Sequence, residues 1–210
     1  MKTLLLASSG SFITEHEIKE LAKPIKEMKM AYIITASKGV DDLNYIKNHM
    51  AEMDELGFDY EEIDIEGKTE TELRDILKNK EMVYVEGGNS FYLLKCVRAS
   101  GFDKVIKDLI SDGVIYAGAS AGSYLACPTI EVASWKHQNR FDHYGVKDFK
   151  ALNLVPFLVT VHYNDKDKEL IQAKIKNSKY PVKILNDEQA ILVQDDKIKL
   201  LGEGKEIKLI

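Results

Sequence analysis

A serine, a histidine and a carboxylate can together supply a nucleophile, a proton carrier and a brace for that carrier, and this chain holds such residues at the ends of apolar runs. Val114–Ala117 leads into Gly118-Ala119-Ser120-Ala121-Gly122 and then into residues able to form a helix. That order of strand, sharp turn and helix is the pattern of a nucleophile elbow with Ser120 at its tip. The tip residue of an elbow is strained, so its neighbours must be small, as Gly118, Ala119, Ala121 and Gly122 are. A pentapeptide this short also fits a plain turn carrying an exposed serine.

A serine hydroxyl is a poor nucleophile until a base takes its proton. Of the five histidines, His16 and His49 fall on expected helices among polar neighbours and read as surface residues. His137 and His143 fall in an aperiodic stretch, 130–150, too long for an ordinary connection. His162 follows the apolar run Leu154–Val161 and precedes the polar Tyr163-Asn164-Asp165. It therefore stands at a strand end and is the base candidate for Ser120. For the group that orients the imidazole, Asp187 is favoured by its place after the apolar run Val182–Leu185. Glu188 beside it and Asp142 in the long loop are the alternatives. Acyl transfer also needs oxyanion donors. The N–H of Ala121, at a helix start, is one, and the Gly87-Gly88 pair in a neighbouring strand's loop fits a second.

Other chemistries find less support. Cys96 and Cys127 lack the spacing of a disulfide framework or a zinc site and read as reduced residues in or near the core. Cys127 lies beyond the elbow tip and is a weak alternative nucleophile. No G-x-G-x-x-G occurs, and Gly67-Lys68-Thr69 lacks the upstream glycine of a phosphate-binding loop. No histidine–carboxylate spacing suggests a metal.

The elements that must position these residues alternate between strand and helix. Strands are expected at 3–8, 30–35, 58–64, 82–85 and 114–117, with helices at 14–28, 41–56, 69–79, 90–99 and 102–111. Thr69 and Glu72 form a capping box, and Gly57 closes the second helix. A strand ends at His162, a helix covers 165–177, and strands cover 182–185 and 190–193. The tail, Lys197–Leu201 with Glu206–Ile210, alternates charged and apolar residues and predicts an antiparallel hairpin at a sheet edge. This rhythm predicts one α/β domain over 1–210, with a mostly parallel central sheet and helices on both faces. Strand ends then gather the candidate residues on one rim.

With 210 residues, 45% of them hydrophobic and 30% charged, the chain fits one soluble domain with a sizeable core. A net charge of −5 argues against nucleic-acid binding. Apolar runs fall far short of the ~20 residues that span a bilayer. Met1–Ala7 stops being apolar too soon for a signal peptide. A cytoplasmic protein, monomer or homodimer, is the expectation.

The blocks Gly87-Gly88-Asn89-Ser90-Phe91, Gly118–Gly122 with Ala126-Cys127-Pro128-Thr129-Ile130, Leu152–Phe157 leading to His162, and Leu185–Ala190 resemble the aspartyl dipeptidase (peptidase E) and cyanophycinase family of serine peptidases. The resemblance spans nearly the whole chain. It implies a class I glutamine amidotransferase-like α/β fold, with Ser120 as nucleophile, His162 as base, Asp187 as the acid, and Gly88 and Ala121 as oxyanion donors. It also implies hydrolysis of peptide bonds after an aspartate, with no metal or cofactor. Asn89 and Lys168 are the candidate substrate contacts. Two departures stand out. Trp135 occupies a position where the dipeptidases carry an aspartate, leaving Asp142 as the nearest carboxylate. The stretch Asp165–Lys174 carries lysines in place of a substrate-binding arginine, and a lysine offers a point charge rather than a bidentate fork. A serine hydrolase of small peptides is the leading expectation. A non-catalytic relative binding a ligand or protein in the same cleft, and an esterase or amidase on non-peptide substrates, are the alternatives.

Overall fold

Along β1 (Thr3–Ala7) successive side chains part company. Leu4 and Leu6 join one hydrophobic cluster and Leu5 and Ala7 a second. The same division runs along Met82–Val85, where Val83 and Val85 face one way and Met82 and Tyr84 the other. A strand whose residues are buried on alternate sides belongs to a sheet covered on both faces, which explains the continuous apolar runs.

The computed structural model describes residues 1–136 and 143–209. After β1 come α1 (Phe12–Glu15), β2 (Met30–Ile33), α2 (Asn44–Leu56), β3 (Tyr60–Ile63), α3 (Glu70–Leu77), β4 (Met82–Val85), α4 (Ser90–Ser100), α5 (Phe102–Ser111), β5 (Ile115–Ala119) and α6 (Ala121–Ala126). Then follow β6 (Leu158–Thr160), α7 (Lys168–Lys176), β7 (Val182–Ile184), β8 (Gln189–Gln194) and β9 (Lys197–Gly202). The main sheet has the order β3-β2-β4-β5-β1-β8-β9. Its first five strands are parallel, β8 runs antiparallel to β1, and β9 antiparallel to β8. Side chains from α3, α4, α5 and α6 pack one face, and those from α1 and α2 pack the other. Strands β6 and β7 pair in parallel as a small separate sheet.

This topology decides where loops meet. The carboxyl ends of β1, β4 and β5 lie side by side. Because β8 is antiparallel, with Ala190 opposite Ala7, the residues just before β8 arrive at the same rim. Thr69 and Glu72 form the expected reciprocal cap of α3, and Gly57 ends α2 in the left-handed conformation.

Several expected elements differ. The helix expected over 14–28 is one turn, α1, followed by irregular chain and a single 3-10 turn at Ile25–Glu27 that starts after Pro24. Ile18, Leu21, Ile25 and Met28 are buried as their spacing suggested. Pro24 cannot donate to the preceding turn and clashes with it, so the same burial is reached without a helix. Asp42 Oδ1 accepts from the first N–H of α2 at 2.9 Å. The hairpin is β8–β9; 206–209 form no strand, and Glu206 instead pairs with Lys183 at 2.6 Å. Among the described residues, no helix is long and apolar enough to cross a membrane.

Candidate active site

Ser120 sits between β5 and α6 at φ 48° and ψ −105°, a conformation that L residues avoid at a cost of about 1–3 kcal/mol. The bend is held from both sides. Ser120 N–H donates to Ala7 O at 3.2 Å, and Tyr124 N–H donates to Ser120 O at 3.0 Å. The smallness of the neighbours has a steric cause: a Cβ on Gly122 would lie 2.0 Å from Val85 O.

The Ser120 hydroxyl lies 3.1 Å from His162 Nε2, and His162 Nδ1 lies 2.5 Å from Asp187 Oδ1. The hydrogen bond from His162 holds the Asp187 carboxyl below the usual carboxylate range against its partial burial, and Ser8 adds to the effect. An ionised Asp187 keeps the imidazole proton on Nδ1 and leaves Nε2 free to accept from Ser120. His162 has φ 53°, so its backbone too needs outside support. Its N–H donates to Ser8 Oγ at 2.8 Å, and its carbonyl accepts from Lys136 Nζ at 2.7 Å. Ser8, fully buried at the end of β1, in turn donates to Asp187 Oδ1 at 2.9 Å. One hydroxyl thus fixes both the main chain of His162 and the carboxylate that orients its ring.

The other expected residues divide. Glu188 is exposed, and among the described residues its carboxylate makes no contact with His162. Asp142 and His137 lie outside the described residues. Trp135 is buried in the core. Asn89 is buried, and its side-chain oxygen accepts from Phe91 and Tyr92 N–H as the N-cap of α4. Lys168 is exposed at the start of α7 and lines neither cavity beside Ser120. Among the described residues, the cation lining a cavity beside Ser120 is Lys136, which bonds Val161 O, His162 O and Asp167 at 2.8 Å. Burial pushes the Cys127 thiol up to about 12, and its Sγ lies 3.4 Å from Ser123 O inside the core, so it is no nucleophile.

Gly88 and Ala121 flank the serine. Gly88 has φ 139°, and a Cβ there would strike Ala36 O at 2.3 Å, so only glycine lets the loop after β4 run this close to the turn at Thr35–Gly39. Ala121 N–H opens α6, so it has no acceptor within the helix. Two cavities, of about 420 and 290 Å³, share Gly88, Ser120 and His162. The larger reaches Glu52 and Glu86; the smaller reaches Lys136, Asn164 and Asp167.

His49 is a correction. It is 4% exposed rather than on the surface. It lies on the inner stripe of α2 with Ile46 and Met53, a spacing visible in the sequence but masked by polar neighbours. Its Nδ1 is 2.7 Å from Glu86 Oε2, which also accepts from Tyr32 Oη at 2.5 Å, while Glu86 Oε1 accepts from Gly87 N–H at 2.6 Å. Burial opposes the charge on Glu86, but these donors outweigh it and hold its carboxyl below the ordinary range. Ser8, Glu86 and Lys136 had no signal in motif or period; each is assigned by contacts between distant segments.

Fold and rim together define an α/β domain of the peptidase type. The comparisons with known proteins agree. The model of peptidase family S51 matches residues 4–201, and the chain belongs to that family. It is 32% identical over 209 residues to an uncharacterized peptidase of Pasteurella multocida (strain Pm70), covering 98% of this chain and 100% of that one. It is 28% identical to peptidase E of Nostoc sp. (strain PCC 7120), covering 96% and 86%. A crystal structure of a candidate peptidase E from Listeria monocytogenes EGD-e superposes with a TM-score of 0.83 at 27% identity, covering 97% and 100%. The chain is accordingly a peptidase with the fold of these relatives.

Proposed function

We propose that the chain is a serine-type peptidase of small peptides in which Ser120, His162 and Asp187 act as a triad. The observation that carries this reading is the hydrogen-bonded line from Ser120 Oγ through His162 to Asp187 at the tip of a strained elbow. Ser120 Oγ attacks the scissile carbonyl while its proton passes to His162 Nε2. The carbonyl oxygen becomes an oxyanion held by Gly88 and Ala121 N–H, each donor contributing about 3–4 kcal/mol of barrier lowering. As the C–N bond breaks, His162 returns the proton to the leaving amine. Water then cleaves the acyl-enzyme through the same groups. Asp187 stays ionised and stabilises the transient imidazolium.

The cleft supports a substrate with a free amino terminus. The larger cavity is lined by Glu52, Glu86 and several hydroxyls, with no lysine or arginine among its described lining residues. Such a wall suits an ammonium group and disfavours an aspartate side chain, with Glu52 as its freer carboxylate, since Glu86 is already held by His49, Tyr32 and Gly87 N–H. Lys136 on the other side suits the carboxyl terminus of a short peptide, although its pairing with Asp167 tempers the charge. Cleavage after aspartate is therefore not the preferred specificity under this reading.

Turnover of a dipeptide panel by wild type and by Ser120→Ala tests the mechanism. Ser120→Ala is expected to lose ~10⁴-fold or more in kcat with its fold intact. Near-full activity in that variant would refute the triad.

A further inference from the structure

The loop between β4 and α4 is tied down at both ends and loose in the middle. Gly87 N–H is held by Glu86 Oε1 at 2.6 Å, and Asn89 N–H by Ala36 O at 2.9 Å. Between them lies the peptide that joins the carbonyl of Gly87 to the N–H of Gly88. Neither flanking residue has a Cβ, so this plane can rotate at little steric cost unless something holds it. Among the described residues its one hydrogen bond comes from Tyr45, on α2, whose hydroxyl donates to Gly87 O at 3.0 Å.

A trans peptide points its C=O and N–H in opposite directions, and no peptide bond among the described residues is cis. Fixing the carbonyl oxygen therefore fixes the N–H. With Gly87 O turned to the hydroxyl of Tyr45, Gly88 N–H is turned away from α2. The loop runs close beside the nucleophile: a Cβ on Gly87 would lie 3.2 Å from Ser120 Cβ. We propose that Tyr45 is a positioning residue whose hydroxyl locks the Gly87–Gly88 peptide so that Gly88 N–H serves the oxyanion formed at Ser120. This rests on the serine mechanism above and adds to it a residue from a helix that carries none of the triad.

The chemistry of the contact suits a permanent clamp. Burial, and then the charge of Glu86, push the Tyr45 phenol well above its ordinary range. It stays a donor across the working pH of an enzyme. The ring lies at the mouth of the larger cavity and is 39% exposed, so the hydroxyl can be removed without opening the core.

A fluorophosphonate tests the clamp without knowledge of the natural substrate. Ser120 Oγ forms the new P–O bond, fluoride leaves, and the hydroxyl proton passes to His162. The phosphoryl oxygen gains charge where the oxyanion would sit. In Tyr45→Phe the maximal inactivation rate is expected to fall about 10- to 100-fold, less than the ~10²–10³ for outright loss of a donor. The half-saturating probe concentration and the melting temperature are expected to stay at wild-type values. A purely structural role for the tyrosine would lower the melting temperature or weaken probe binding and leave the maximal rate intact; that pattern overturns the proposal. Labelling of Tyr45→Phe at the wild-type rate overturns it too while the serine mechanism stands. A wild-type enzyme that resists the probe, or a Ser120→Ala variant that is labelled like wild type, removes the mechanism and the clamp together.

Discussion

Ser8 shows how much of the site depends on a residue that does no chemistry. Its hydroxyl takes the N–H of His162 and donates to Asp187, so the proposed base and its proposed orienting acid are referred to one buried atom at the end of β1. Asp187 carries the electrostatic side of the arrangement. Its folded pKa is lowered, so its pairing stabilises the fold fully above the unfolded value of about 3.9 and is lost as pH falls through the folded value. In Asp187→Asn that contribution disappears. The stability gap between wild type and variant should close as pH falls from about 5 toward about 2, as measured by urea melts across pH. At pH 7 the same variant should lose ~10⁴-fold in kcat, because an amide in place of the carboxylate favours the wrong tautomer of His162. A gap that widened toward acid would show that the carboxylate is not the charged partner of the pair.

At the scale of elements, the elbow is a contact between three pieces of backbone. Strand β5 ends, α6 begins, and β4 passes so close that Gly122 has no room for a methyl group against Val85 O. Gly122→Ala is expected to destabilise the fold by roughly 3 kcal/mol or more, since backbone on both sides must shift to relieve an overlap of this size. Thermal melts would register it. A variant that melts like wild type would mean that β4 and α6 are not held at this separation. Helix α2 has a matching role on the other face of the sheet. Its His49 anchors Glu86 at the end of β4, and one turn earlier its Tyr45 bonds the next residue, Gly87. The loop beside Ser120 is thus braced from a helix that packs on the opposite face from α6.

For the whole molecule, the sheet order places four separated segments on one rim, and the cleft they form is not uniform in charge. Its larger cavity carries Glu52 and Glu86, and its smaller one carries Lys136 paired with Asp167. A dipeptide has the complementary polarity, with an ammonium at one end and a carboxylate at the other. Acetylating the amino terminus of a cleaved dipeptide should lower kcat/KM by about 10- to 100-fold, the value of one hydrogen bond to a charged group. Chromatographic assay of paired free and acetylated peptides measures this, and equal rates would show that the acidic wall does not meet the substrate.

Much of this was legible in residue order. Small residues around Ser120 marked the elbow because a tight bend excludes side chains, and the apolar runs marked buried strands because both faces of each are covered. The ends of those runs pointed to His162 and Asp187. Local signals were also decisive where the physics is local, as in the Thr69–Glu72 cap and the left-handed Gly57. They failed where a distant partner set the outcome. Polar neighbours hid the burial of His49, whose carboxylate partner lies 37 residues away. Pro24 turned a helical spacing into irregular chain that buries the same side chains. Ser8, Tyr45, Glu86 and Lys136 gain their places only when the sheet brings segments together, because a hydrogen bond between distant residues leaves no period or motif in either one.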